Sequence, residues 1–276
     1  MNLDDSIFVC IISYKDDKWL ESVISLLQAC TNINKVFVGV IEYVTSHSMI
    51  EHIPQKFRNH IRVKTIAAKM ATTLCDSRKL CMQHLFYNEK FVCFTKSVTM
   101  CRDWDSILVN YAQVYTGVIT TKLLDSQKNI FMTVDSLENS KIQIGHRKLH
   151  KFYNRPILSV VWSADFSFQH GSLVSHVLSD DTDLGVSATL LYNKINIFSP
   201  GQCIAVRAKH PSGVRQRTKS IVSPKVIDVF KKYHDIHEDK LSAHIKNGLC
   251  NHFNADDSIQ KYGSIWQANL LVANSG

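Results

Sequence analysis

The sequence predicts an α/β fold built on a mostly parallel sheet, and three observations carry that prediction. Short apolar runs rich in β-branched and aromatic residues, among them 6–13 (SIFVCIIS), 35–41 (KVFVGVI) and 91–94 (FVCF), stop abruptly at polar residues. Segments with apolar side chains at helical spacing lie between them. The connections are short, as strand–helix–strand units with right-handed crossovers require.

In chain order, 6–13 is a first strand whose polar tip is Tyr14-Lys15-Asp16-Asp17. Residues 19–29 follow as a helix, because Leu20, Val23, Ile24 and Leu27 share one face. A second buried strand spans 35–41. Residues 46–59 read as loop or weak helix, 61–66 as a third strand, and 72–87 as a helix with Leu74, Leu80, Cys81, His84 and Leu85 on its apolar side. Residues 117–121 and 129–134 are further strands, placed antiparallel at the sheet edge. Residues 158–162 form a short apolar strand, and 163–168 runs into a turn at His170-Gly171. The acidic cluster Ser179-Asp180-Asp181-Thr182-Asp183 precedes a helix over 184–192, where carboxylates in a first turn suit capping and the helix dipole. Strands at 196–200 and 203–206 close the main body. Two terminal helices are expected at 225–233 and 239–245, with 211–224 a loop between two prolines.

The stretch from Phe91 to Asp105 has the form of a site. Its apolar strand ends at Thr95-Lys96-Ser97, at the carboxyl end where open α/β sheets place ligands, and Trp104, Ile107, Leu108, Tyr111 and Tyr115 then mark a helix.

Composition narrows the classes. With 276 residues and 45% hydrophobic content the chain can bury one large core, so one domain with a C-terminal extension is expected. No apolar run reaches the ~20 residues of a membrane span, and no signal core follows the N-terminus. Eight cysteines without a C-x-x-C pair read as reduced thiols, which points to the cytoplasm. The formal charge of +8 is concentrated in 207–232, where Arg207, Lys209, Arg215, Arg217, Lys219, Lys225, Lys231 and Lys232 face Asp228 alone. Such a patch suits a nucleotide, a nucleic acid or an acidic partner, or is a solvated loop; the scarcity of aromatic residues there argues against base stacking. His234, His237, His244, Cys250 and His252 match no four-ligand zinc spacing.

Four pieces read together resemble a known family. Ile7-Phe8-Val9 with Ser13-Tyr14-Lys15-Asp16 and then Val36-Phe37-Val38-Gly39-Val40 is similar to the opening of the GlcNAc-transferases typified by the cytoplasmic enzyme that glycosylates hydroxyproline on a ubiquitin-ligase adaptor. Residues 85–105 resemble the family's central block, 164–172 its F-x-F turn, and 181–200 its acidic helix and proline-ended strand. Gly248-Leu249 and Ser258-Ile259-Gln260-Lys261-Tyr262 resemble its closing block. The resemblance implies a GT-A-like fold, a Rossmann-like nucleotide-binding half-sheet plus an acceptor half, over 1–210, with a basic loop and C-terminal helical extension over 211–276. It also implies a UDP-sugar donor, UDP-GlcNAc first, and a protein or peptide hydroxyl as acceptor.

Carried over residue by residue, Ser13, Tyr14, Lys15 and Asp16 fall where the family holds the uridine; an ordinary polar turn is the competing role. Arg78 or Lys79 falls at an arginine that meets the diphosphate, against a plain helix-surface cation. At the tip where the family has Asp-x-Asp or Asp-x-His for a divalent ion, this chain has Thr95-Lys96-Ser97, with no carboxylate. Arg207 stands at the place of the family's later histidine ligand, and His210, three positions on, supplies that ligand instead if the loop is shifted. The family's Gly-Glu-Glu corresponds to Asp181-Thr182-Asp183, which makes Asp183, or else Asp181, the expected general base. Asp165 is placed beside sugar or acceptor, or in a turn cap, and Trp162, Phe166 and Phe168 in the core or against the sugar. Lys96 and Arg207 then imply a metal-independent transferase. The alternatives are a catalytically inactive binding module of the same fold, or nucleic-acid or acidic-partner binding through 207–232.

Overall fold

The computed structural model describes residues 5–123, 130–138, 141–148, 156–159, 161–200 and 202–207. The strands are β1 (Ile7–Tyr14), β2 (Val36–Val44), β3 (Ile61–Ala67), β4 (Phe91–Thr95), β5 (Val98–Met100), β6 (Gly117–Thr121), β7 (Ile130–Glu138), β8 (Lys141–Lys148), β9 (Ile157–Ser159), β10 (Phe166–His170), β11 (Asn196–Ser199) and β12 (Ala205–Arg207). The helices are α1 (Trp19–Ala29), α2 (Leu74–Leu85), α3 (Trp104–Val114), α4 (Val174–Val177) and α5 (Asp183–Tyr192).

Eight strands form one mixed sheet in the order β3-β2-β1-β4-β10-β6-β11-β9. The first four run parallel. β10 enters antiparallel between β4 and β6, and β11 runs parallel to β6. Two small ribbons, β5 with β12 and β7 with β8, stand apart from it. No helix among the described residues is long and apolar enough to cross a membrane, and the seven described cysteines are free thiols.

The continuous apolar runs have a physical reason: both faces of the central strands are covered. Ile7, Val9 and Ile11 of β1 join Trp19, Leu26, Trp104 and Phe168 in one core. Phe8 and Cys10 join Phe94, Val118, Trp162 and Val186 in the other. Helix α3 is locked to the end of α1 by Asp105, whose two carboxylate oxygens accept from Thr31 N (2.7 Å) and Asn32 N (3.0 Å), and by Trp104 Nε1 donating to Leu26 O (3.1 Å).

Gly39 in β2 lies under the Phe8 ring, and a Cβ there would come within 2.2 Å of Phe8 Cζ. Gly39→Ala is therefore expected to destabilise the fold by about 1–3 kcal/mol through overpacking. Urea denaturation with an unchanged m-value checks it; an unchanged midpoint would refute the contact.

Two expectations are corrected. The stretch read as an F-x-F turn is β10, a central strand. Its Phe166 and Phe168 are in the core while the chain turns only after His170. Strand β6 is interior to the sheet, and β7 pairs with β8 instead of extending the edge. The predicted terminal helices, the loop at 211–224, the histidine group and most of the basic patch lie outside the described residues.

Candidate functional site

Strand register builds the site. Phe166, the first residue of β10, pairs with Thr95 on one side and Thr121 on the other. One step beyond that row lie Lys96, Asp165 and Lys122, side by side at the carboxyl ends of β4 and β6. The β5–β12 ribbon adds the fourth member, because Arg207 pairs with Val98 immediately after the β4 tip.

Asp165 is the hub. It is 3% exposed, and its Oδ1 accepts from Lys96 Nζ at 2.5 Å. Its Oδ2 lies 3.4 Å from Lys122 Nζ and 4.0 Å from Arg207 Nη2, and Arg207 also donates to Leu123 O (3.3 Å). The cations themselves keep 34–44% of their side-chain surface in solvent. Burial raises the Asp165 pKa, but Lys96 and Lys122 outweigh it, so the group is held below its ordinary value of 3.8. The expectation that no carboxylate stands at the β4 tip is thereby corrected: Asp165 arrives from the residue before β10, and Asp16 from the β1 tip.

The segment leading into β10 is held by side chains. Trp162 N donates to Ser187 Oγ (2.8 Å), Ser163 N to Thr120 Oγ1 (3.0 Å), Ala164 N to Asp183 Oδ1 (3.0 Å) and Asp165 N to Ser163 Oγ (3.2 Å). Asp183 opens α5 behind the N-cap Thr182, whose hydroxyl accepts from Gly185 N. Burial pushes the Asp183 pKa above 3.8; the Ala164 N–H opposes this, Lys122 and Arg78 also lower it, and Asp165 reinforces the rise.

Arg78 and Lys79 separate cleanly. Arg78 is 2% exposed, stacks on Phe94 (5.0 Å) and donates from Nη2 to Ala164 O at 2.6 Å. It is thus no helix-surface cation, and its Nε has no hydrogen-bond partner among the described residues. Lys79 is the exposed one and pairs with Asp76 at 3.8 Å.

The β1 tip borders this group. Ser13 is buried and donates to Asp16 O (3.0 Å), and Lys15 has φ of 50° while its N donates to Tyr43 O (2.8 Å). Asp16 Oδ1 accepts from Lys18 N (3.0 Å) at the start of α1, and Oδ2 accepts from Ser97 Oγ (3.5 Å), joining the β1 and β4 tips. Lys15 Nζ sits over the Tyr14 ring at 5.3 Å. Thr95 is buried, with no hydrogen bond to Oγ1 among the described residues.

Asp181 lies elsewhere. Exposed, it accepts from Thr73 Oγ1 (2.9 Å), tying the loop before α5 to the N-cap of α2. Trp162, Phe166 and Phe168 are core residues. Of the candidate residues, the structure gathers Lys96 and Arg207 on Asp165, ties Arg78 and Asp183 to the adjoining Ala164 peptide, and joins Asp16 to Ser97. Sequence reasoning missed Lys122, and only the pairing of β10 with β6 reveals it.

No protein-family model matches the chain, and no curated protein matches it by sequence. Solved structures do. The crystal structure of S. aureus TarS 1–349 in complex with UDP-GlcNAc aligns over 93% of this chain and 77% of its own, with 13% identity and a TM-score of 0.50. The same TarS fragment in complex with UDP gives 12% identity and 0.48 over the same shares. The likeness to the first is one of fold: a GT-A-like α/β architecture, with the Asp165 cluster at the carboxyl ends of its strands.

Proposed function

We propose that the chain is a glycosyltransferase that moves a sugar, GlcNAc first, from a UDP-sugar to a protein or peptide hydroxyl without a divalent metal. The observation that carries this reading is the convergence of Lys96 and Arg207 on one buried carboxylate at a GT-A-like ligand edge. UDP-GlcNAc bound to a protein of like fold supports the donor. The sequence resemblance to the hydroxyproline GlcNAc-transferases supports the acceptor class.

Among the described residues the donor set favours no metal ion. Asp165 is taken up by cations, and the described residues hold no group of three His, Cys, Asp or Glu side chains that could bind one. Fixed positive charge takes on the task instead. In the reaction, the acceptor oxygen bonds to the anomeric carbon and passes its proton to Asp183 Oδ. The bond from that carbon to the β-phosphate oxygen breaks, and UDP leaves with the electron pair. Lys96 and Arg207 face the negative charge that develops on the diphosphate. Ser13, Tyr14, Lys15, Asp16 and Ser97, at the joined β1 and β4 tips, border the place of the uridine, and Arg78 holds the Ala164 peptide between the cations and the base.

Calorimetric titration of the full chain with UDP-GlcNAc, in EDTA and then in manganese, tests the reading. Binding with the same Kd in both is expected. Binding only with manganese would overturn metal independence, and no binding of any UDP-sugar in either would leave a module of this fold without a donor. Nucleic-acid binding through 207–232 has less support, since Arg207, the described member of that patch, turns toward Asp165.

A further inference from the structure

Lys122 belongs to none of the motifs that the sequence resemblance supplies, yet it completes the charge of the site. Three cations from separate places, Lys96 after β4, Lys122 after β6 and Arg207 in β12, share the single carboxylate of Asp165. The sum is two positive charges in excess. The carboxylate is shielded from solvent while each cation reaches it, so the cluster turns its positive side outward. A nucleoside diphosphate, free or sugar-linked, brings two ionised phosphates to that excess and can meet two cations at once, whereas a nucleoside monophosphate brings one.

Resting on the UDP-sugar reading, we propose that Lys122 is the third cation of the donor-diphosphate site, held in place by Asp165, and that it selects a diphosphate over a monophosphate donor. Lys122 arrives from β6, on the far side of β10 from Lys96, so the two ammonium groups flank the carboxylate. A diphosphate lying across the row meets Lys96 at one phosphate and Lys122 at the other. Removing Lys122 therefore costs one charge-assisted contact and leaves the uridine side untouched.

Calorimetry on the full chain in EDTA tests this with UDP, UMP and inorganic pyrophosphate across a salt series. Lys122→Met is expected to bind UDP and pyrophosphate about 10-fold more weakly, as loss of one contact to a charged group requires. Its UMP affinity should change less than about 2-fold, so the preference for UDP over UMP narrows. The fall of affinity with salt should also become shallower, one ion contact having gone. Lys122→Arg should recover most of the affinity. Lys90→Met removes the same charge at the opposite end of β4, where Lys90 pairs with Asp5, and should leave UDP binding within about 2-fold. Should Lys122→Met not fold, Lys122→Gln carries the same expectations. If the wild-type chain binds UDP but neither neutral variant differs from it, the assignment of Lys122 fails while the donor reading stands. If the wild-type chain binds neither UDP nor pyrophosphate, both fall.

Discussion

Asp183→Asn is expected to slow sugar transfer by roughly 10²–10⁴-fold while leaving UDP binding within about twofold, because the amide cannot accept the acceptor's proton. The substitution is mild for the fold. Asparagine retains an oxygen for the Ala164 N–H, which now meets Asp183 Oδ1 at 3.0 Å. Burial, reinforced by Asp165, raises the carboxyl pKa of Asp183 above 3.8, so kcat/KM for the proposed transfer should fall on the acid side at a midpoint above that value. The same shift fixes the sign for stability. The folded state binds this proton more tightly than the unfolded chain, so the contribution is favourable at low pH and is lost as pH rises through the folded pKa. Ionised Asp183 is then a net cost at neutral pH, and Asp183→Asn should melt at or above the wild-type temperature. Asp181→Asn, on the exposed Thr73 contact, should change the rate less than about threefold. Transfer assays and melting curves read both. A folded Asp183→Asn variant with the wild-type rate would remove Asp183 from the proposed chemistry.

Local pattern made much of the fold legible. Helix α1 falls on the predicted 19–29, because Leu20, Val23 and Leu27 had to share a face and do so in the core. Strand β6 falls on 117–121, and β4 extends the predicted run by one residue. What could not be read was pairing at a distance. Ser167 and Gln169 interrupt the apolar pattern of β10, and the resemblance assigned the stretch to an F-x-F turn, although both residues are fully buried in a central strand. With β10 missed, nothing placed Asp165 against Lys96, 69 positions earlier, or Lys122 against either. Arg207 carried a signal through the basic patch and the resemblance, and the β5–β12 pairing supplies the physical reason for its location. Arg78 shows the same limit. From sequence it and Lys79 were interchangeable, and only the turn of α2 toward Phe94 buries one and exposes the other.

Replacing the hub itself should have a different signature. Asp165→Ala is expected to destabilise the protein by about 1–3 kcal/mol at pH 7, below the roughly 3–5 of a fully buried broken pair, because the three cations are partly solvated. For a chain of this size that lowers the melting temperature by roughly 2–4 °C per kcal/mol. The pH dependence follows from the direction of the shift. Despite the opposing effect of burial, Lys96 and Lys122 hold the folded pKa of Asp165 below 3.8, so its contribution is complete above the unfolded value and disappears as pH falls through the folded one. The gap between wild type and Asp165→Ala should therefore be flat near neutrality and close only in strong acid. Salt should narrow it for a second reason. Without the carboxylate, Lys96, Lys122 and Arg207 repel one another, and the screening length shrinks from ~8 Å at physiological ionic strength to ~3 Å at 1 M. Melting curves at pH 7 in low and high sodium chloride separate this charge origin from loss of packing, which salt does not restore. Equal melting temperatures for the two proteins at pH 7 and low salt would show that Asp165 does not hold the cations together, and the proposed metal-independent site would lose its organising group.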